Sequence, residues 1–209
     1  MNNNINVNEI IARLEREYPA ALCSLEYDKP HELLFSVRLA AQCTDERVNK
    51  ITPALFARFP TLEAFAEAEQ TEVEEYVRSC GFFRSKAHDI IAAARMLLAD
   101  FGGVVPDNMG DLLKLPGVGR KTANLVLGDV YKKPGSVVVD THCIRLTNRI
   151  GLANTKVPEK IEVILRAVLP PDKSNDFCHR MVLHGRAVCP ARAPKCAECC
   201  ISEYCEKHL

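Results

Sequence analysis

Leu115-Pro116-Gly117-Val118-Gly119-Arg120-Lys121 separates two stretches of helical pattern, and the reading of the fold starts there. Asn108 to Leu115 reads as a short helix. Arg120 to Tyr131, with Ala123, Leu125, Val126 and Leu127 at its apolar positions, reads as a second. Two glycines one residue apart allow a tight turn whose N–H groups can approach a phosphate without Cβ obstruction, beside the positive end of a helix. The pattern, over about 108–131, is a helix-hairpin-helix. Gly-x-Gly alone also suits a purely structural turn, so its neighbours have to decide.

Outward from the hairpin, the punctuation stays helical. Val7 to Tyr18 puts Ile10, Ile11 and Leu14 on one face, Pro30 opens a second segment, and Thr44 and Asp45 start a third that runs to about Phe59. Pro60-Thr61 begins another helix, Thr71-x-x-Glu74 reads as a capping box, and Gly81 as the stop of the helix it opens. A long periodic run from Ser85 ends at Gly102-Gly103. Helix resumes after Asp140, after Pro158 and from about Asp176 to Val188. The single β-rich stretch, Ser136 to Val139, is too short to build a sheet and reads as a link between two helical layers. The fold class is all-α.

Composition sets the outer bounds. At 209 residues, with 47% apolar and 26% charged, the chain is an ordinary folded protein of one domain or two small ones. No apolar run approaches the roughly 20 residues that span a bilayer, and Met1 to Asn4 lack the basic start of a signal peptide, so an intracellular protein with no membrane partner is expected. Net charge is zero, but unevenly spread: −5 over residues 61–80, +5 over 114–149 and +4 over 178–195. A nucleic-acid site, if present, must therefore be local.

Ten cysteines without an export signal point to metal ligation or buried thiols rather than disulfides. Cys23, Cys43, Cys80, Cys143 and Cys178 stand singly in apolar surroundings and read as buried thiols. Five others fall in the last 21 residues, and Cys189, Cys196, Cys199 and Cys205 among them are separated by six, two and five residues. Four such thiolates can enclose a metal centre, and spacing alone leaves zinc and an iron-sulfur cluster equally open.

Taken together, Leu115 to Asn124, Val139-Asp140-Thr141-His142 with Arg145, Ala41-Gln42-Cys43-Thr44-Asp45, Gly81 to Ala87 and the cysteine spacing resemble the endonuclease III family of DNA glycosylases. The resemblance runs from about Leu14 to Cys205. It implies two helical domains, a barrel over 22–132 that carries the hairpin and a discontinuous domain of 1–21 with 133–209, and a 4Fe-4S cluster held by the four cysteines in a loop over 189–205. Cys200 matches no ligand position. The implied activity is that of a bifunctional glycosylase and abasic-site lyase of base excision repair. Its substrate would be double-stranded DNA carrying oxidised or ring-damaged pyrimidines of the thymine glycol type, or abasic sites. A monomer is expected, cytoplasmic and nucleoid-associated if the source is bacterial.

The same resemblance assigns Lys121 as nucleophile and Asp140 as its carboxylate partner. An amine can displace a base from the sugar and then hold the sugar as a Schiff base, which a hydroxyl cannot. The helix start and Arg120 beside it provide surroundings that disfavour an ammonium. Asp140 also stands where a helix N-cap is expected. Gln42 and Phe82 are implied to fill the space left by an extruded base, with His142 near the flipped nucleotide. Phe83 competes with Phe82 for that place. Gly117, Gly119 and Arg120 are expected at phosphates, as are Arg192 and Lys195 within the cysteine loop. A monofunctional adenine or mismatch glycosylase would generally lack the lysine, and a non-catalytic iron-sulfur binding module would need neither Lys121 nor Asp140.

Overall fold

A computed structural model describes residues 6–208, so the asparagine-rich opening lies outside the described residues. Among them are eleven α-helices, four short 3-10 turns and no strand. None of the helices is long and apolar enough to cross a membrane. The chain divides into two compact units, one comprising Ser24–Tyr131 and the other the residues up to Cys23 together with those from Lys132 onward.

The first of these holds α2 (Pro30–Leu39), α3 (Asp45–Arg58), α4 (Leu62–Ala66), α5 (Gln70–Val77), α6 (Phe83–Phe101), α7 (Met109–Leu112) and α8 (Arg120–Asp129). The longest, α6, receives α4 and α5 on its sides, while α2 lies against α3, α6 and α8. Helix α2 is buried at almost every position, as a central helix must be. The five-residue α4 could not persist alone. It is anchored by Phe65, fully buried, whose ring sits 5.0 Å from that of Phe35 and 5.2 Å from that of Phe59. Helix α6 ends at Gly102, φ +60°, with Gly103 N–H donating to the Leu97 carbonyl, a left-handed stop of the kind its Gly-Gly pair predicts.

The capping box expected at Thr71 is not formed. Helix α5 begins one residue earlier, Glu69 caps it without a side-chain bond, and Glu74 is taken by Gln70 Nε2 at 2.8 Å along the helix face. The start of α6 also moves, from the expected Ser85 to Phe83, because Phe82 turns the chain with a left-handed backbone.

The second unit joins α1 (Val7–Glu17) to α9 (Thr141–Ile150), α10 (Pro158–Val168) and α11 (Ser174–Ala187). Helix α11 starts two residues before the expected Asp176 and packs on both α1 and α9. Arg180 Nε donates to the Tyr18 carbonyl at 3.1 Å, and Arg13 reaches the Cys200 carbonyl and the Glu203 carboxylate at 3.2 and 2.8 Å. The first helix is thereby tied to the last loop. Ser136 to Val139 forms no strand; its four side chains are buried, and Gly135 N–H bonds the Pro171 carbonyl at 2.7 Å.

Truncating the ring that anchors α4 tests this packing. Phe65→Ala is expected to lower stability by about 3–5 kcal/mol, read from the midpoint of a denaturant titration followed by far-UV circular dichroism.

Candidate functional site

The hairpin lies between α7 and α8. Asn108 caps α7 through its side chain, accepting from Asp111 N–H at 3.0 Å, and Leu115 is buried just before the turn. Gly117 takes φ +74°, and a Cβ built on it would stand 2.7 Å from the Cδ and Nε of Arg38. That guanidinium does not give way easily: it is paired with Asp89 at 2.7 Å and donates to Ser85 Oγ at 3.0 Å. Gly119 differs, with φ −102° and no atom within 4 Å of an added Cβ. Of the two glycines, only Gly117 is required by the turn. Gly119 is the N-cap of α8 and offers no side chain to its first N–H groups; Arg120 and Lys121, exposed, form the first helical turn after it.

Gln42 and Phe82 share an unusual backbone, with φ of 55° and 46°, a region that side chains other than Gly and Asn rarely enter. Both are exposed, and together with Arg38, Ala41, Ser85 and Lys86 they line one cavity. Phe82 is 67% exposed, whereas the Phe83 ring lies beneath the guanidinium groups of Arg78 and Arg84, at 5.3 and 5.5 Å. The two phenylalanines, indistinguishable in sequence, are thus in different surroundings.

In the other unit Asp140 caps α9, its Oδ1 accepting from Cys143 N–H at 2.7 Å. Two residues on, His142 Nδ1 lies 3.1 Å from Arg145 Nη2. Gly185 of α11 sits against that ring, so closely that a Cβ there would be 2.5 Å from His142 Nδ1. Arg145 also donates to the carbonyls of Gly185 and Cys189, at 3.1 and 3.0 Å. Arg149, one turn further along α9, reaches the Pro190 and Ala191 carbonyls at 2.7 and 2.9 Å and the Cys189 sulfur at 3.2 Å. The basic excess of both sequence stretches is accordingly smaller at the surface than it reads. Arg145, Arg149 and Arg180 are largely committed to internal carbonyls, while Arg192 and Lys195 are exposed.

Cys189, Cys196, Cys199 and Cys205 line a single cavity walled by Leu146, Ile150, Val188 and Ile201. Cys200 is not in its lining; its carbonyl faces Arg13. Among the described residues no three His, Cys, Asp or Glu side chains converge as the ligands of one metal ion would. His184, buried, sets its Nε2 3.3 Å from Cys199 Sγ, and its Nδ1 3.0 Å from the Tyr18 hydroxyl. Burial holds the imidazole down at about 4 and pushes the Cys199 thiol up to about 11. The ring faces the sulfur as a donor in the tautomer that carries its proton on Nε2 and accepts from the phenol at Nδ1. Cys80, Cys143 and Cys178 are buried thiols as expected, while Cys23 and Cys43 are half-buried.

Sequence reading missed the supports of these groups. Arg38, Asp89, Lys86, Tyr18 and His184 carry no local signal, although the four-residue spacing of Arg145 and Arg149 does place them on one face of a helix.

An all-α chain with a glycine hairpin before a lysine-bearing helix matches a family model described as HhH-GPD superfamily base excision DNA repair protein, over residues 35–171. Endonuclease III of Synechocystis is 47% identical over 197 residues, covering 94% of this chain and 90% of that protein. Endonuclease III of Escherichia coli K12 is 41% identical, covering 95% and 93%. A solved structure of a non-covalent endonuclease III-DNA complex superposes with a TM-score of 0.93 at 35% identity, covering 99% of this chain and 97% of that one. The chain belongs to the HhH-GPD superfamily of base excision DNA repair proteins and, within it, to the endonuclease III family.

The unequal glycines of the hairpin give a paired test. Gly117→Ala is expected to cost about 1–3 kcal/mol, through its positive φ and its contact with Arg38, and Gly119→Ala less than about 1 kcal/mol. Thermal melts of the two variants, side by side, check the order.

Proposed function

We propose that the protein is a bifunctional DNA glycosylase and abasic-site lyase that removes oxidised or ring-damaged pyrimidines from duplex DNA. The observation that carries the reading is Lys121, exposed in the first turn of α8, directly behind a hairpin built on a left-handed glycine. Its amine attacks the deoxyribose C1′ as the bond from C1′ to the base breaks, and the base leaves with that electron pair and takes up a proton. Ring opening then gives an imine between Lys121 Nζ and C1′. The imine acidifies the C2′ proton, whose removal expels the 3′ phosphate oxygen and cuts the strand by β-elimination.

Asp140 is read as the carboxylate that stabilises positive charge developing on the sugar. Its bond to Cys143 N–H supports that role, since capping fixes the position of the carboxylate. Gln42 and Phe82 are read as the side chains that enter the gap left by the extruded nucleotide, and the exposure of Phe82 favours it over Phe83. His142 is assigned to the flipped nucleotide. Gly117, Gly119 and Arg120 bring the uncapped start of α8 to a phosphate, where backbone N–H groups and the helix dipole attract an anion.

The four cysteines fit a 4Fe-4S cluster better than zinc. All four line one cavity with apolar walls, and their intervals of six and five residues are not the usual paired spacing of zinc ligands. When bound, the cluster supplies order to the 189–205 loop. Arg149 would offset thiolate charge at Cys189, the neutral His184 would offer a hydrogen bond to the Cys199 sulfur, and Arg192 and Lys195 on the ordered loop would meet DNA phosphates. The units Ser24–Tyr131 and the remainder would then be the barrel and the cluster-bearing domain. We assign the protein to the cell interior, cytoplasmic and nucleoid-associated if its source is bacterial, acting as a monomer.

Borohydride trapping on duplexes containing thymine glycol or an abasic site tests the chemistry. The parent should give a covalent protein-DNA band and Lys121→Ala none. Asp140→Asn, which preserves the helix cap, should slow single-turnover base release at least tenfold while changing duplex affinity less than threefold. Unchanged release by Asp140→Asn would remove the carboxylate from the chemistry.

Arg192→Ala with Lys195→Ala should weaken binding to damaged and undamaged duplexes alike. The slope of log affinity against log salt should also shallow by about 2 in the double variant, which a salt titration of fluorescence anisotropy would register.

A further inference from the structure

Lys86 is a lysine with no exposed surface, an expensive place for an ammonium group. Its Nζ donates to the Leu39 carbonyl at 2.8 Å and to the Cys80 carbonyl at 2.6 Å. Those two residues are structural counterparts. Leu39 is the last residue of α2 and Cys80 the last of the 3-10 turn Arg78–Cys80, so each presents a carbonyl at the negative end of a helical segment. The lysine is thus a cross-tie between two helix ends that are 41 residues apart in the chain.

What departs from those ends is specific. Three residues after Leu39 comes Gln42, and two after Cys80 comes Phe82, the exposed pair with left-handed backbones that share one cavity. The backbone of Lys86 holds the second of them as well, its N–H donating to the Phe82 carbonyl at 3.1 Å. Strained conformations of this kind persist only where their surroundings over-determine them. Stability alone is a weak reason to keep a lysine here, since apolar replacement of buried charges is often neutral or favourable.

We infer that Lys86 is a positioning residue for lesion recognition, pinning the ends of α2 and of the 3-10 turn so that Gln42 and Phe82 are presented to the duplex as one wedge. The inference rests on the reading of those two residues given above and extends it to the group that sets their separation. Lys86 touches no reacting atom, and its effect should be confined to substrates in which a nucleotide has to be drawn out of a duplex.

Lys86→Met removes the donors and keeps the bulk, and its borohydride trapping on single-stranded and duplex abasic oligonucleotides separates the possibilities. A single strand needs no wedge. We expect trapping at limiting enzyme to fall about tenfold on the duplex and no more than twofold on the single strand. The fluorescence rise of 2-aminopurine placed opposite a tetrahydrofuran site, which reports insertion, should be lost. Adding Gln42→Ala and Phe82→Ala should cost about tenfold on the duplex in the parent and under twofold in the Lys86→Met background, because the wedge is already out of register. Unchanged duplex trapping and fluorescence in Lys86→Met would overturn the inference, as would equal losses on both substrates. Should Lys86→Met show no cooperative melt, Lys86→Gln, too short to bridge both carbonyls, is read by the same criteria. A parent that traps neither substrate would instead overturn the lyase reading on which the inference depends.

Discussion

The C-terminal loop has little regular structure to satisfy its own backbone, and the carbonyls of Gly185, Cys189, Pro190 and Ala191 are bonded by two arginines of α9. Much of the second unit follows from that constraint. The helix that supplies Arg145 and Arg149 starts at Asp140, so the carboxylate, His142 and the first cysteine of the cavity belong to one hydrogen-bonded assembly. Gly185 is small because His142 and Arg145 occupy the space a side chain would need. The N-terminal helix closes the assembly from the other side, through Arg13 at the Cys200 carbonyl and Tyr18 at His184. An ordered loop at the end of the chain therefore depends on residues from both ends of the sequence.

The Ser24–Tyr131 unit solves a different problem, which is to hold exposed side chains in backbone conformations they would not choose. Its answer is charge turned inward, half-buried at Arg38 and fully buried at Lys86. Arg38, paired with Asp89, fills the space beneath Gly117 and fixes the hairpin, and Lys86 holds the ends from which Gln42 and Phe82 depart. Both cations line the cavity that those two residues share. The hairpin and the turns at Gln42 and Phe82 are consequently supported by neighbouring turns of the same two helices, α2 and α6.

Much of this was legible in one dimension. Glycine and proline mark where helices stop, apolar spacing marks their inner faces, and the intervals between cysteines pick out four that line one cavity. The misreadings have physical causes. Thr71-x-x-Glu74 has the form of a capping box, but Gln70 is a competent helix former and takes Glu74 for itself. The charge excess of residues 114–149 and 178–195 reads as surface, yet three of its arginines turn inward to carbonyls that sequence cannot reveal as unpaired. Phe82 and Phe83 are equivalent as letters and separate only when a positive φ exposes one ring and leaves the other between arginines.

Sequence by itself determined the all-α class, the hairpin and a set of four closely spaced cysteines, because each is carried by residue type at short spacing, and the family resemblance singled out the candidate pair Lys121 and Asp140. Tertiary structure alone decided which glycine the hairpin needs, which phenylalanine is presented, which arginines remain at the surface and which lysine is buried. Those are properties of contacts between segments tens of residues apart, such as Lys86 with Leu39 or Arg149 with Ala191. Local spacing holds no trace of them, since a hydrogen bond to a backbone carbonyl places no demand on the identity of the residue that accepts it.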